Sequence, residues 1–350
     1  MVQVDPQTQT GRPADSRPEP KEAPVLAALD LGTNNCRLLV ARPTSGSFEV
    51  IDAFSRIVRL GERLAFTGQL GGRAMDRALE ALHVCAAKLR RRMVTGFRGV
   101  ATEACRRARN GGVFLERVAR ETGIELEIIE PKEEARLALA GCAPLLDRGI
   151  PYAILFDIGG GSTEVLWLAQ VPGGAWHMID SISLGCGVVP FAERFGGDRV
   201  EPAHYEAMVT EVVARLASFD TRHGIAARVA AGAVQMLGTS GTVTTIVGVR
   251  MNLPRYQRSL VDGAWLDFRD IASVSRALAS MGWSQRAAHP CIGRTRADLV
   301  VAGCAILEAM CQVWPVGRVR VADRGLREGI ILGLMGGGAL PHGMQPKVQA

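Results

Sequence analysis

Short apolar runs and longer amphipathic stretches alternate along this chain. Residues 25–29, 37–41 and 48–53 are apolar over the length of a strand, and they predict three strands of a meander. In residues 75–93, leucine and alanine recur at intervals of three and four, as they do on the buried face of a helix. This alternation of strands and helices is typical of an α/β fold.

The same pattern continues with a strand at residues 96–101, a helix at 112–122 and a strand at 125–129. Pro131 then interrupts the chain, and a helix is predicted to start near Glu133. Proline suits the first helical turn, and acidic residues there are favoured by the helix dipole.

From Pro151 onward the pattern restarts. Residues 152–156, 164–169 and 178–183 predict strands, and helices follow them. The uncharged stretch at 229–249 contains glutamine, threonines and glycines, so it predicts a strand, a loop and a helix in a core rather than a membrane span. The restart predicts an internal duplication of the architecture.

Two glycine-rich loops follow predicted strands, one in each half of the chain. The first is Asp30-Leu-Gly-Thr-Asn34, and the second is Asp157-Ile-Gly-Gly-Gly-Ser-Thr-Glu164. In each, an aspartate ends the strand, and glycines then let the backbone turn sharply and direct its N–H groups at one point. Such groups bind phosphate oxygens. The pair therefore predicts a phosphate-bearing ligand clamped between two similar domains.

The chain is predicted to have four segments. Residues 1–24 are polar and proline-rich, which predicts a disordered tail. An N-terminal domain is predicted at 25–147, a C-terminal domain at 148–334 and a loose tail at 335–350. The last helix of the second domain is expected to pack back on the first domain.

Composition and charge narrow the class of protein. Of 350 residues, 47% are hydrophobic, which is enough for a large core and two domains. Only 5% are aromatic, which disfavours a surface that stacks on bases, so nucleic acid is not an expected partner. A formal net charge of +6 and a pI near 9.1 favour a polyanion or nucleotide as ligand.

Eight cysteines are scattered without a C-x-x-C pair or metal-ligand spacing. Several lie in apolar helical stretches, as small buried side chains do in a reducing compartment. The first 24 residues also lack the apolar core of a secretory signal. A cytoplasmic protein without a membrane partner is therefore predicted.

Six motifs stand out by their order and spacing: Asp30-Leu-Gly-Thr-Asn-Asn35, Ala101-Thr-Glu-Ala-Cys-Arg-Arg-Ala-Arg-Asn110, Glu133-Glu-Ala135, Asp157-Ile-Gly-Gly-Gly-Ser-Thr-Glu164, Gly185-Cys-Gly187 and Gly238-Thr-Ser-Gly-Thr242. In them the chain resembles the short branch of the exopolyphosphatase / guanosine pentaphosphate phosphohydrolase (Ppx/GppA) family. The resemblance implies an α/β fold of two actin-like (ribonuclease H-like) domains, with mixed sheets flanked by helices and a cleft between the domains. It also implies a homodimer.

The resemblance implies hydrolysis of a terminal phosphoanhydride, which needs a positioned water and a metal that draws charge onto the leaving group. Glu134 matches the glutamate that orients or deprotonates this water. Asp157 and Glu164 match metal-associated carboxylates, and Asp30 is expected to reach the metal through water. Such hard oxygen ligands suit Mg²⁺. Replacement by Mn²⁺ and assistance by K⁺ stay open.

Arg106 matches a family arginine that contacts phosphate, a role that suits a planar guanidinium with five donors. The loop at 239–242 is expected to bind another stretch of phosphate or to close the cleft. The phosphate-binding residues predicted in this way are Gly32, Thr33, Asn34, Asn35, Arg106, Gly159, Gly160, Gly161, Ser162, Thr163, Thr239, Ser240 and Gly241.

The first activity that the resemblance implies is an exopolyphosphatase acting on inorganic polyphosphate. A guanosine pentaphosphate (pppGpp) 5′-phosphohydrolase, a non-catalytic phosphate or nucleotide sensor, and a kinase of small molecules stay open as alternatives. The family commonly has Ser-Gly before its glutamate motif, whereas this chain has Ile129-Glu-Pro-Lys132. Because proline lacks an N–H group, the contact with substrate beside Glu134 is expected to differ.

Overall fold

Two mixed β-sheets form the framework of the molecule. The structure is a computed structural model, and it describes residues 23–336. The strands of the first sheet are β1 (Leu26–Leu31), β2 (Asn35–Thr44), β3 (Ser47–Ile57), β4 (Gly96–Ala101) and β5 (Glu127–Ile128). Those of the second sheet are β6 (Tyr152–Ile158), β7 (Thr163–Gln170), β8 (Trp176–Leu184), β9 (Val234–Thr239), β10 (Trp265–Asp267) and β11 (Arg318–Ala322).

The two sheets repeat one topology. The first has the order β3-β2-β1-β4-β5, with β1 to β3 antiparallel and β4 and β5 parallel to β1. The second has the order β10-β11-β9-β6-β7-β8, with β6 to β8 antiparallel and β9 and β11 parallel to β6. Each sheet thus contains a three-stranded meander whose first strand also pairs with a later parallel strand.

Helices connect the strands and cover the sheets. They are α1 (Leu64–Thr67), α2 (Gly72–Arg91), α3 (Glu103–Arg107), α4 (Gly111–Thr122), α5 (Pro131–Cys142), α6 (Val188–Phe195), α7 (Pro202–His223), α8 (Ile225–Ala230), α9 (Gly241–Arg250), α10 (Arg258–Val261), α11 (Phe268–Ser280), α12 (Trp283–Ala288), α13 (Val300–Val313) and α14 (Leu326–Met335). A 3-10 turn at Ala143–Leu145 follows α5.

Helix α5 lies between the two sheets and packs on both. Leu137 joins a buried apolar cluster with side chains of β1, β2, β4 and α14. On another face of the helix, Ala135, Ala138 and Cys142 pack with apolar side chains of β6, β7 and β9. Burial of these side chains against both sheets fixes the direction in which the first turn of α5 points.

The last helix, α14, returns to the first sheet and crosses α5 at a distance that only glycine permits. A Cβ atom on Gly141 would overlap the carbonyl oxygen of Gly325, and one on Gly329 would overlap that of Leu137. Ile330 and Ile331 then pack on the face of the first sheet. The chain therefore passes from the first sheet to the second after α5, and back again after β11.

The predicted α/β class is confirmed by these sheets and their flanking helices. Several elements differ from their predicted bounds by a few residues, and β5 and α5 are the two next to Glu134. β5 is shorter than residues 125–129, because only Glu127 and Ile128 pair with β4. α5 begins at Pro131 rather than near Glu133. Within residues 23–336, no helix has the length and apolar character needed to cross a bilayer.

Most of the two predicted tails lies outside the described residues, which exclude 1–22 and 337–350. The proposed domain boundary at 147/148 stays a prediction. It falls in the connection between the turn at Ala143–Leu145 and β6, where the chain leaves one sheet for the other.

Candidate active site

A cavity of about 840 Å³ opens where the carboxyl ends of strands from both sheets meet. Its wall contains the segments that follow β1, β4, β6, β9 and β11, the edge at which α/β sheets bind ligands. Most predicted site residues line it: Asp30, Gly32, Thr33, Asn34, Asn35, Glu134, Asp157, Gly159, Gly160, Gly161, Ser162, Glu164, Thr239, Ser240 and Gly241. Arg106 and Thr163 lie behind the wall.

The two glycine loops have the same internal geometry. In the first, the N–H of Gly32 donates to the carbonyl of Asn35 at 2.8 Å, and in the second the N–H of Gly159 donates to the carbonyl of Ser162 at 2.9 Å. Between these ends, four N–H groups have no acceptor among residues 23–336: those of Thr33, Asn34, Gly160 and Gly161. Such groups are available to phosphate oxygens.

The glycine loops also pack directly against each other. A Cβ atom on Gly160 would lie 3.0 Å from the nitrogen of Asn34, and one on Gly161 would lie 2.5 Å from Oγ1 of Thr33. Thr33 and Asn34 are buried, and their Oγ1 and Oδ1 atoms have no hydrogen-bond partner within the described part of the chain. A buried polar atom without a partner costs free energy, so these atoms indicate a polar ligand or bound water.

Four of the carboxyl groups that line the cavity, those of Asp30, Glu134, Asp157 and Glu164, have a raised pKa. Burial raises the pKa of Asp157 to about 7, and repulsion by Glu164 adds to the effect. Burial raises the pKa of Glu134 well above its usual range, again with repulsion by Glu164. The pKa values of Asp30 and Glu164 are raised by burial as well. Repulsion among ionised buried carboxylates makes a nearby cation strongly favourable.

The position opposite each loop aspartate differs between the sheets. Asp157 pairs in register with Glu164 across β6 and β7, whereas Asp30 pairs with Arg37 across β1 and β2. Glu164 is fixed by the hydroxyls of Ser162 and Ser183, which both donate to its Oε1, at 2.6 and 2.9 Å. The same place in the repeated meander therefore carries a carboxylate in one half and a guanidinium in the other.

The donor set fits a hard divalent cation. Among residues 23–336, no group of three or more His, Cys, Asp or Glu side chains could hold a metal ion by itself. Mg²⁺, however, usually keeps several waters and binds through one or two carboxylates together with substrate phosphates. Asp157 and Glu164, at paired positions in the cavity wall, supply such a pair of carboxylates. The chemistry of these residues fits Mg²⁺ held jointly with a phosphate ligand.

Glu134 lies in the first turn of α5 and reaches the cavity. Nη1 of Arg106 lies 3.4 Å from its Oε2 and donates to the carbonyl of Ile129 at 2.5 Å, while Nη2 donates to Glu103 at 2.7 Å. The guanidinium thus holds two carboxylates of the cavity wall. A direct contact of Arg106 with phosphate stays a prediction, and it would require these bonds to be exchanged.

The remaining predicted hydroxyls are held within the protein. Oγ1 of Thr239 donates to the carbonyl of Arg324 at 2.8 Å, and Oγ of Ser240 accepts the N–H of Thr242 at 3.1 Å as the N-cap of α9. Thr163 is buried and donates to a backbone carbonyl at 2.7 Å. These bonds give all three a structural role in the observed conformation, and their phosphate contacts stay predictions.

Five arginines in the cavity wall were missed in the sequence: Arg37, Arg56, Arg296, Arg324 and Arg327. No carboxylate oxygen in the described part of the chain lies within ion-pair distance, 4.0 Å, of Arg37, Arg296 or Arg327. Burial lowers the pKa of Arg296 and Arg327, and repulsion by Arg37 contributes to both shifts. Guanidinium groups without an ion-pair partner within 4.0 Å are suited to bind an anion with several negative charges.

Comparison with known proteins agrees with this geometry. The sequence model of the Ppx/GppA phosphatase family matches residues 39–337, which is most of the chain. The chain belongs to the Ppx/GppA phosphatase family. It is 29% identical over 326 residues to a Haemophilus influenzae protein named "Putative exopolyphosphatase", a match that covers 91% of this chain and 95% of that protein. Family membership makes the protein a hydrolase of this class.

Solved structures confirm the fold. The crystal structure of an Aquifex aeolicus Ppx/GppA family member is 26% identical, with a TM-score of 0.72 over 89% of this chain and 97% of that one. An exopolyphosphatase from Cytophaga hutchinsonii has a TM-score of 0.81 over 90% of this chain and 99% of its own, at 22% identity, so it bears on the fold alone. The two repeated sheets are the actin-like fold of Ppx/GppA proteins.

Proposed function

We propose that this protein is a Mg²⁺-dependent exopolyphosphatase that releases orthophosphate from the end of inorganic polyphosphate. The observation that carries the proposal is that Glu134, Asp157 and Glu164 line one cavity together with the free N–H groups of both glycine loops. The exopolyphosphatase name of the Haemophilus influenzae relative supports it.

In this proposal, the N–H groups of the glycine loops bind the terminal phosphate. Arg37, Arg296 and Arg327 neutralise the oxygens of the phosphates that follow it, as preorganised positive groups do in phosphoryl transfer. When bound at Asp157 and Glu164, Mg²⁺ would neutralise charge on the phosphate oxygens.

Glu134 accepts a proton from the water whose oxygen attacks the terminal phosphorus. As the new P–O bond forms, the bond from that phosphorus to the bridging oxygen breaks, and the bridging oxygen leaves as the new end of the shortened chain. A raised pKa makes the ionised Glu134 carboxylate a stronger base than an exposed one. Arg106, beside Oε2 of Glu134, orients this carboxylate and favours its ionised form.

The test is orthophosphate release from long-chain polyphosphate with Mg²⁺, with wild type beside Glu134→Gln. Loss of the base is expected to lower kcat at least ~100-fold while polyphosphate binding is retained. Glu133→Gln is the matched control, because Glu133 pairs with Arg98 and Arg136 and does not line the cavity. Near wild-type turnover in Glu134→Gln would contradict the assigned role.

Hydrolysis of pppGpp is the second candidate activity, and one residue favours it. Tyr256 lines the cavity with 39% of its surface exposed, and an aromatic ring there could stack on a guanine. Release of orthophosphate from pppGpp but not from polyphosphate, abolished by Glu134→Gln, would make this the principal activity. If no orthophosphate were released from either substrate, the alternative of a non-catalytic phosphate or nucleotide sensor would be favoured.

Replacement of Mg²⁺ by Mn²⁺ and assistance by K⁺ stay open. The homodimer that the family resemblance implies and the cytoplasmic location predicted from the sequence stay predictions.

A further inference from the structure

Arg296, which lines the cavity, lies in a short segment of the second half of the molecule. A residue of the first half forms hydrogen bonds with this segment. Residues 295–298 precede α13, and Arg59 follows β3 of the first sheet. Nη1 and Nη2 of Arg59 donate to the two carboxylate oxygens of Asp298 at 2.7 and 2.8 Å. Nη2 also donates to the carbonyl of Thr295 at 3.1 Å. Arg59 therefore contacts both ends of the segment that contains Arg296.

The backbone of Arg59 is attached to the first glycine loop. Its N–H and that of Val58 both donate to the carbonyl of Asn34, at 3.1 and 2.8 Å. Arg59 has φ +48°, in the left-handed region that a non-glycine residue adopts only at a cost in free energy. This conformation leaves one residue bonded to a phosphate-binding loop through its backbone and to the Arg296 segment through its side chain.

The opposite side of the segment is fixed to the second half. Arg286 is fully buried, and its Nε donates to the carbonyl of Ala297 at 2.8 Å. Its Nη2 donates to the carbonyls of Gly197 and Asp198 at 2.7 and 2.6 Å. If the Arg59–Asp298 ion pair broke, residues 295–298 would therefore stay attached to the second half of the molecule. The first glycine loop would stay attached to the first half.

The Arg59–Asp298 ion pair is accessible to solvent. The side chains are 34% and 24% exposed, and both line a second cavity of about 290 Å³ beside the first. Glu193 also lines this cavity, and its Oε1 accepts the N–H of Arg63 at 2.7 Å, a second bond between the halves. An ion pair in contact with solvent can open and close, unlike the buried contacts of Arg286.

We propose that Arg59 and Asp298 are positioning residues that set the distance between the first glycine loop and Arg296 across the substrate cavity. They touch no substrate, and they act through Arg296 and Asn34. The inference rests on the proposed function, because it takes Arg296 to bind the phosphates that follow the terminal one. In this proposal, the Arg59–Asp298 ion pair affects the affinity for substrate and not the rate of the chemical step.

A first experiment measures the contact between the halves without any turnover. Amide hydrogen exchange at Arg63, whose acceptor lies on Glu193 across the cavity, is compared in wild type and Asp298→Asn. Faster exchange at Arg63 is expected in the variant. Asp270→Asn is the control, because it removes an ion pair of similar length, 2.8 Å to Arg250, that lies within one half. Equal exchange at Arg63 in wild type and Asp298→Asn would overturn the proposal.

A second experiment measures kcat and KM for orthophosphate release. Asp298→Asn is expected to raise KM roughly fivefold and to change kcat less than twofold, the scale of one partly exposed ion pair. The charge-reversed double variant Arg59→Asp, Asp298→Arg should lie closer to wild type than either single variant in KM and in Arg63 exchange. Faster amide exchange at Arg63 together with an unchanged KM would show that the ion pair is only a structural contact, and it would overturn the proposal. If the wild type released no orthophosphate, the proposed function would fail, and the exchange data would still test the ion pair.

Discussion

One residue position distinguishes the two halves of the repeated fold. Opposite the loop aspartate, the second sheet places Glu164 and the first places Arg37. Asp157 and Glu164 repel each other and favour a cation between them, whereas Arg37 lowers the pKa of Asp30 against the effect of burial. In the proposed function, the carboxylate pair of the second half binds the metal and Arg37 of the first half binds phosphate, although both loops have the same backbone.

The raised pKa of Asp157 predicts a pH-dependent cost in stability. Its folded value is about 7 and its ordinary value is 3.8, so between these pH values the folded state binds more protons than the unfolded state. The contribution of Asp157 to the stability of the folded state is therefore most favourable below about pH 3.8. It is lost as the pH rises through 7. Without Mg²⁺ at pH 8, Asp157→Asn should therefore be more stable than wild type by up to about 4 kcal/mol.

Urea unfolding of both proteins at pH 4 and pH 8 measures this difference. The two should have nearly equal stability at pH 4, and added Mg²⁺ at pH 8 should stabilise wild type more than the variant. Asp76→Asn, which neutralises an exposed carboxylate, is the control and should show no gain. A wild type that is as stable as Asp157→Asn at pH 8 without Mg²⁺ would show that burial and repulsion do not raise the pKa of Asp157.

Sequence analysis predicted the site residues that belong to short sequence motifs. Asp30 and Asp157 end apolar strands and precede glycines, so a window of ten residues suffices to predict them. Arg296 and Arg327 come from segments before α13 and at the start of α14, and only tertiary packing brings them to the loops. Arg37 could have been predicted from the sequence, because an alignment of the predicted strands of the meander pairs it with Asp30.

At the level of elements, helix α5 accounts for the unusual Ile129-Glu-Pro-Lys132 segment. Pro131 occupies the first turn, where its missing N–H has no intrahelical acceptor to lose. Glu130 and Lys132 are exposed, and neither lines the cavity. The expectation that this segment alters the contact with substrate stays a prediction, and Glu134 lies only three residues beyond the proline.

The crossing of α5 and α14 should depend on Gly329. A Cβ atom there would overlap the backbone of Leu137, so Gly329→Ala must separate the two helices and is expected to cost about 2 kcal/mol or more of stability. Gly333→Ala, in the same helix, is the control. Nothing lies within 4 Å of that position, so the higher helix propensity of alanine should leave the stability unchanged or slightly raised.

Denaturant unfolding of both alanine variants tests this contact. Because Glu134 is in the first turn of α5, the Gly329→Ala variant should also lose orthophosphate release when assayed below its unfolding transition. Equal stability of Gly329→Ala and wild type would mean that the helices can separate without cost.

At the scale of the whole molecule, the connections between the halves limit their relative motion. The chain crosses from one sheet to the other after α5 and crosses back between β11 and α14. Two adjacent crossings permit rotation about a hinge but oppose sliding. On the side of the cavity, the halves meet through Gly160 against Asn34 and through the Arg59–Asp298 ion pair. In the observed arrangement the halves are therefore in contact across the cavity.

Closure should accordingly depend on ligand. Glu134→Gln with Mg²⁺ and polyphosphate is expected to have a smaller radius of gyration than the same variant with Mg²⁺ alone, because phosphates that bind both loops and Arg296 draw the halves together. Small-angle X-ray scattering measures this change, and Asp298→Asn in the same background should be more open without ligand. Identical scattering profiles with and without saturating polyphosphate would mean that the cavity admits its ligand without hinge motion. In that case a chain end would have to enter through the existing mouth of the cavity.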